Sequence, residues 1–210
     1  MSTISVDQRL SLLARLGENI NWDSLTTEQI QVGIREAKRA GAEATVFFKN
    51  GFRVQIGDFF RDTGELALQI PALPRPTLAE LREKFSWIRA ENGIERDTSP
   101  TEAVTLRLGT VLRADEKSIG GEEYERRRVS LTGLHGYQQA AWLVEHQDEF
   151  PEVMALLGKV YIDFPGLVVA SADGDRNFPY LYRVGKRWDL RWRWTVYDLF
   201  SSGRIASSGK

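Results

Sequence analysis

The chain has 210 residues with 28 Lys and Arg against 29 Asp and Glu, so its formal net charge is -1, and 42% of its residues are hydrophobic. That length and apolar content suit one large globular domain or two small ones, and the near-zero charge removes any global electrostatic attraction to nucleic acid or anionic membranes. With no cysteine there is no disulfide framework, thiolate nucleophile or Cys-ligated zinc, and no segment has the flanks of a signal peptide or the length of a membrane span. The expectation is a soluble, cytoplasmic protein without membrane insertion.

In chain order, Leu10, Leu12, Leu13 and Leu16 mark a short helix, and Thr26-Thr27-Glu28-Gln29 opens a second that carries Ile30, Ile34 and Ala37. Two β-branched and aromatic runs, 44–48 and 52–56, flank Lys49-Asn50-Gly51, a strong hairpin signal. A small α+β unit over residues 1–72 follows. Leu73-Pro74-Arg75-Pro76 breaks the chain and sets an expected boundary, with a second region over 77–210.

Beyond it, Leu78, Leu81, Phe85 and Ile88 recur at helical spacing. Ser99-Pro100-Thr101-Glu102 reads as a capping box that opens a helix faced by Val104, Leu108, Val111 and Leu112. The dense charge run at 122–128 reads as a solvated helix face. Tyr137, Ala140, Ala141 and Val144 predict a helix of about four turns, followed by a shorter one through Val153, Leu156 and Leu157.

From Lys159 the texture becomes strands: 160–164, 167–170, 180–184 and 187–194, with turns at Pro165-Gly166, at 172–175 and at Val184-Gly185-Lys186. Asp173-Gly174-Asp175-Arg176-Asn177 starts like a calcium loop. Phe178 and Val184 stand where that loop needs glycine and glutamate, so a polar turn is the reading. His135 and His146 have no evident catalytic partner and are expected to be structural or surface groups, and no nucleophile elbow, Walker loop or dinucleotide fingerprint occurs. No enzymatic activity and no cofactor or metal is expected, although carboxylate catalysis leaves no linear signature.

In Arg187-Trp188-Asp189-Leu190-Arg191-Trp192-Arg193-Trp194, apolar and charged residues alternate, so the strand period places Trp188, Leu190, Trp192 and Trp194 on a buried face. Arg187, Asp189, Arg191 and Arg193 take the outer face. A core strand with a solvated outer side is the plain explanation, and Arg191 and Arg193 could equally lay their stems over aromatic neighbours. The stretch 195–203 then gathers Thr195, Val196, Tyr197, Asp198, Phe200, Ser202 and Gly203 with no clean period. Rigid aromatics mixed with small polar residues are common on recognition surfaces.

With Gly136-Tyr137-Gln138-Gln139-Ala140-Ala141-Trp142-Leu143, Val160-Tyr161-Ile162-Asp163-Phe164-Pro165-Gly166 and the tail from Arg187 through Ala206, the chain resembles the variable proteins of diversity-generating retroelements from uncultivated bacterial lineages and their phages. The resemblance implies an α+β fold with a C-type-lectin-like carboxy-terminal domain and a variable tail at 187–207. It also implies binding of an unknown protein or surface ligand, with display on a surface or virion as one use. Lectin cysteines and the sugar-binding Glu-Pro-Asn and Trp-Asn-Asp motifs are absent. The implied contact residues are Asp189, Arg191, Arg193, Thr195, Val196, Tyr197, Asp198, Phe200, Ser202 and Gly203. Adenine replacement at AAY codons reaches each of these residue types but not Lys, Glu or Gln, and residues 187–209 contain none of those three. Tryptophan codons lack adenine and would persist as scaffold. The rival reading is a single-stranded nucleic-acid binder that sets Arg191 and Arg193 on phosphates and stacks bases on Tyr197.

Overall fold

A computed structural model describes residues 60–208. The chain divides into two compact units, Met1–Gln55 and Ile56–Lys210, and the described residues belong to the second. The helices expected near 6–16 and 26–40 and the hairpin at 44–56 lie outside the described residues. The break at 73–76, expected as a boundary between regions, falls inside the second unit.

The architecture is α+β, mostly sheet with few helices. β1 (Arg61–Ile70) buries Leu66, Leu68 and Ile70 while Ala67 and Gln69 face solvent, the period-two pattern of a half-buried strand. α1 (Leu78–Lys84) starts at a capping box in which the Thr77 hydroxyl accepts the Glu80 N–H at 3.2 Å and the Glu80 carboxylate accepts the Thr77 N–H at 2.7 Å. The predicted stripe stops there, because Phe85 caps the helix and Ile88 instead bridges to Ser171. β2 (Ile94–Asp97) follows.

The helix expected after Ser99 is a strand, β3 (Val104–Thr110), set between β1 and β10. Val104, Leu106 and Leu108 alternate with Thr105, Arg107 and Gly109, so period two outcompetes the three- and four-residue spacings along the same run. Glu102 does not cap a helix; its carboxylate accepts the adjacent Thr101 N–H at 3.1 Å.

β4 (Ser118–Ile119) leads into α2 (Gly121–Val129), which covers the charge run, but the solvated face expected there is partly internal. Arg127 and Arg128 are buried. Arg127 ties Glu116 and Glu123 to the Val111 carbonyl, and this guanidinium holds Glu116 down at about 2. Arg128 pairs with Glu125 and lies 4.8 Å over the Phe178 ring, where burial pushes it down to about 10. Hydropathy hides this arrangement because a guanidinium enters a core when its partners travel with it.

α3 (Tyr137–Glu145) is shorter than the four turns predicted and ends at His146, followed by a 3-10 turn (Gln147–Glu149) and α4 (Pro151–Met154) with proline in its first turn. The strands then run β5 (Tyr161–Asp163), β6 (Leu167–Ala170), β7 (Arg176–Val184), β8 (Arg187–Trp194), β9 (Leu199–Phe200) and β10 (Gly203–Ser207). One eight-stranded sheet has the order β1-β3-β10-β5-β7-β6-β2, with β8 paired to β7. β10 runs parallel to β5, and β4 with β9 makes a separate two-stranded ladder. β5 and β6 share one edge of β7, and β8 takes the other. His135 is fully buried beside β10, where desolvation pushes its imidazole down to about 4 and fixes it as a neutral structural group. No helix among the described residues is long and apolar enough to cross a membrane.

Candidate functional site

The register of the β7–β8 hairpin decides which side chains share a face. Phe178 faces Arg193, Tyr180 faces Arg191 and Tyr182 faces Asp189; on the opposite face Pro179 meets Trp192, Leu181 meets Leu190 and Arg183 meets Trp188. The opposite face is the buried one over most of its length. Trp188 is 2% exposed and donates its indole N–H to the Val153 carbonyl at 3.1 Å. Trp192, half-buried, meets Phe85 and Trp87 edge-on at 5.2 and 5.5 Å and stacks on Tyr137 at 6.0 Å.

The expected alternation fails at the end of β8. Trp194 is 45% exposed and stacks on Tyr197 at 5.3 Å, whereas Arg193, expected outside, is 8% exposed. The cause is Asp163 on β5, fully buried between Ile162 and Phe164, because a carboxylate in that position needs a counter-charge. Arg193 supplies it at 3.5 Å, Tyr124 of α2 donates its hydroxyl to the other oxygen at 2.7 Å, and the Arg193 guanidinium lies 4.7 Å over the Tyr161 ring. Burial raises the Asp163 pKa against the pull of Arg193 and the Tyr124 hydrogen bond. Burial alone would lower Arg193, but Asp163 and Tyr161 outweigh it and the guanidinium is held more firmly charged. Thus α2 covers the Phe178–Arg193 end of this face, and the Tyr182–Asp189 end stays open.

At the border between covered and open face lies a cleft of about 500 Å³. Arg193, Val196, Tyr197, Asp198 and Phe200, all predicted from the tail, line it together with Tyr161, Tyr180, Tyr182 and Trp192. Asp189 and Arg191 sit beside it on the open face, ion-paired to each other at 3.0 Å and opposite two of its tyrosines. The remaining predicted residues do not reach it. Thr195 is buried, Ser202 is exposed elsewhere on the loop, and Gly203 is buried where an added Cβ would come within 2.6 Å of the Tyr161 hydroxyl. Tyr161, Tyr180 and Tyr182 escape a reading by strand propensity, which does not say which face of a strand stays uncovered. Alternation of Tyr180 and Tyr182 around buried Leu181 is the signal that could have found them.

The loop that carries the cleft wall is held on three sides. Asp198 accepts the Gly121 N–H at 3.1 Å, which places a carboxylate at the start of α2, and its own carbonyl accepts from Arg193. Leu199 and Phe200 pair with Ile119 and Ser118, the Ser201 N–H donates to the Lys117 carbonyl at 2.9 Å, and the Phe200 N–H donates to the Tyr161 hydroxyl at 3.1 Å. The Val196 backbone passes so close to Gly121 that a Cβ there would overlap the Val196 carbonyl. Gly121→Ala is therefore expected to lower the unfolding free energy by about 1–3 kcal/mol through overpacking. Gly120→Ala, with its nearest neighbour 3.9 Å away, should stay within about 1 kcal/mol of the parent. Urea titrations of both variants check this, and equal losses would contradict the packing account.

Among the described residues no group of three or more His, Asp or Glu side chains is placed to hold a metal ion. No protein-family model, curated protein or solved structure matches the chain.

Proposed function

We propose that the chain is a ligand-binding display protein of the variable-protein kind made by diversity-generating retroelements, with a C-type-lectin-like carboxy-terminal fold, and that its recognition surface is the cleft bordered by β7, β8 and the loop at 195–202. The observation that carries this reading is convergence: five of the ten tail residues chosen from sequence meet in one cleft on a loop fixed by α2, β4 and Arg193. A rigid aromatic surface binds with little ordering entropy to lose. Exposure divides the tail into two classes. Arg191, Val196, Tyr197, Phe200 and Ser202 are exposed and Asp189 is half so, which suits mutable positions; Trp188, Arg193, Thr195 and Gly203 are buried, which suits scaffold. The chemistry also disfavours phosphate as the ligand, since Arg191 is paired with Asp189 and Arg193 with Asp163.

The test is a displayed library in which Asp189, Arg191, Val196, Tyr197, Phe200 and Ser202 are randomised together and selected against hen lysozyme as a probe. Most members should keep a cooperative unfolding transition within a few degrees of the parent, and lysozyme binders should emerge whose affinity disappears on reversion. A library that mostly fails to fold would overturn the reading. The flanking DNA gives a second check: a near-copy of the tail codons that differs at adenines, next to a reverse-transcriptase gene, is expected.

A further inference from the structure

We propose that this cleft, in its present sequence, receives an uncharged, proline-rich peptide segment in the polyproline II conformation; the proposal rests on the reading of the cleft as the recognition surface. Three features of the lining set the ligand's chemistry. First, the side chains that share the cleft's open face are aromatic: Tyr161, Tyr180, Tyr182, Tyr197 and Phe200. Second, the one cationic group in the lining is already paired inside the protein. Arg193 is held by Asp163 and by the Asp198 carbonyl, and the Asp198 carboxylate accepts the Gly121 N–H. An anionic ligand group entering here would lose water without gaining a free counter-charge. Third, the hydroxyls of Tyr180, Tyr182 and Tyr197 have no hydrogen-bond partner among the described residues, and burial of Tyr180 raises its pKa and keeps it a donor.

The complementary ligand is flat, apolar and neutral, and offers acceptors that are not already paired. A polyproline II segment has these properties together. Its pyrrolidine rings stack on aromatic faces, its carbonyls make no internal hydrogen bonds, and its stiffness leaves little entropy to lose on binding. A helix has its carbonyls paired internally. A glycan presents as many donors as acceptors, and the lining offers a single carboxylate, one of whose oxygens already holds the Gly121 N–H, to receive them.

The experiment is calorimetric titration of the full chain with a ten-residue proline peptide, a Gly-Ser peptide of the same length and maltohexaose. The proline peptide is expected to bind and the other two are not. Tyr182→Phe, which keeps the ring and removes the hydroxyl, should weaken binding about five-fold. Tyr180→Ala should weaken it by about ten-fold or more, while Val129→Ala, at an exposed position on α2 outside the lining, leaves it unchanged. Circular dichroism and melting of each variant separate lost binding from lost fold. Absence of proline-peptide binding by the folded parent, maltohexaose binding in its place, or binding that survives Tyr180→Ala would each overturn the proposal. If the randomised library still yields lysozyme binders when the proline peptide fails, the ligand class is wrong and the recognition surface stands; if both fail, the surface itself is misassigned.

Discussion

Trp188→Ala is expected to lower the unfolding free energy by about 3–5 kcal/mol, the range for truncating a buried tryptophan. The indole is 2% exposed in the cluster formed with Leu143, Val153 and Leu156, and its loss also removes the N–H that it donates to the Val153 carbonyl. The position is anchored further through its backbone, because the Trp188 N–H donates to the Gln147 side-chain oxygen at 2.8 Å and the Gln147 amide returns a bond to the Trp188 carbonyl at 3.3 Å. Trp188→Ala keeps these backbone bonds, so its cost comes from the emptied core position and the lost indole contact to Val153. Trp194→Ala is the matched comparison. At 45% exposure it should change stability by no more than about 1 kcal/mol. Urea unfolding followed by far-ultraviolet circular dichroism, which does not depend on the removed fluorophore, measures both. Equal losses would show that the tryptophans of β8 act as one interchangeable row, contrary to the register.

Arg193→Met should cost about 3–5 kcal/mol at neutral pH, because it leaves the Asp163 carboxylate buried and uncompensated. Adding Asp163→Asn should recover much of that loss, since both members of the pair are then neutral. The pH dependence supplies an independent signature. Asp163 already titrates above its ordinary value of 3.8 because burial disfavours the ionised form, and removing Arg193 pushes it higher. In that window the folded state binds a proton that the unfolded state has released, so stability falls as pH rises. The deficit of Arg193→Met relative to the parent is expected to be smallest near pH 4 and largest near pH 7. His135, with its folded value lowered to about 4, works in the opposite direction: the stability it contributes is lost as pH falls from its unfolded value through about 4. That contribution is common to both proteins and cancels in the difference. A deficit that does not vary with pH would mean that Asp163 is compensated by Tyr124 and Arg128 alone.

Much of the second unit is legible in local pattern. The turn between β6 and β7 expected at 172–175 is present, closed by the Ser171 N–H on the Asp175 carbonyl. β8 spans the alternating Trp–Arg segment, and the tail residues placed on a recognition surface include five that share the cleft. β3 departs from the expected helix because Val104, Leu108, Val111 and Leu112 fit a helical stripe as well as Val104, Leu106 and Leu108 fit a strand. Short apolar runs carry both periods, and only pairing with β1 and β10 selects one. Arg127 and Arg128 depart from the solvated face expected of charge on a helix, and no linear signal places Val111, Glu116 and Phe178 around them.

The amino-acid sequence by itself determined the alternation of β8, the aromatic and small polar character of the tail, and the absence of linear motifs for catalysis, since these depend on residue order and type within a few positions. Tertiary structure decided which of those residues meet. Period two states that Arg193 and Arg191 share a face, but whether that face is wet at each position depends on what packs over it. α2 closes one end and Asp163 draws Arg193 inward, while the other end stays open beside Tyr180 and Tyr182. Burial is a property of the surrounding chain, from positions scores of residues away, and only the folded arrangement brings Tyr124, Asp163 and Arg193 to one point.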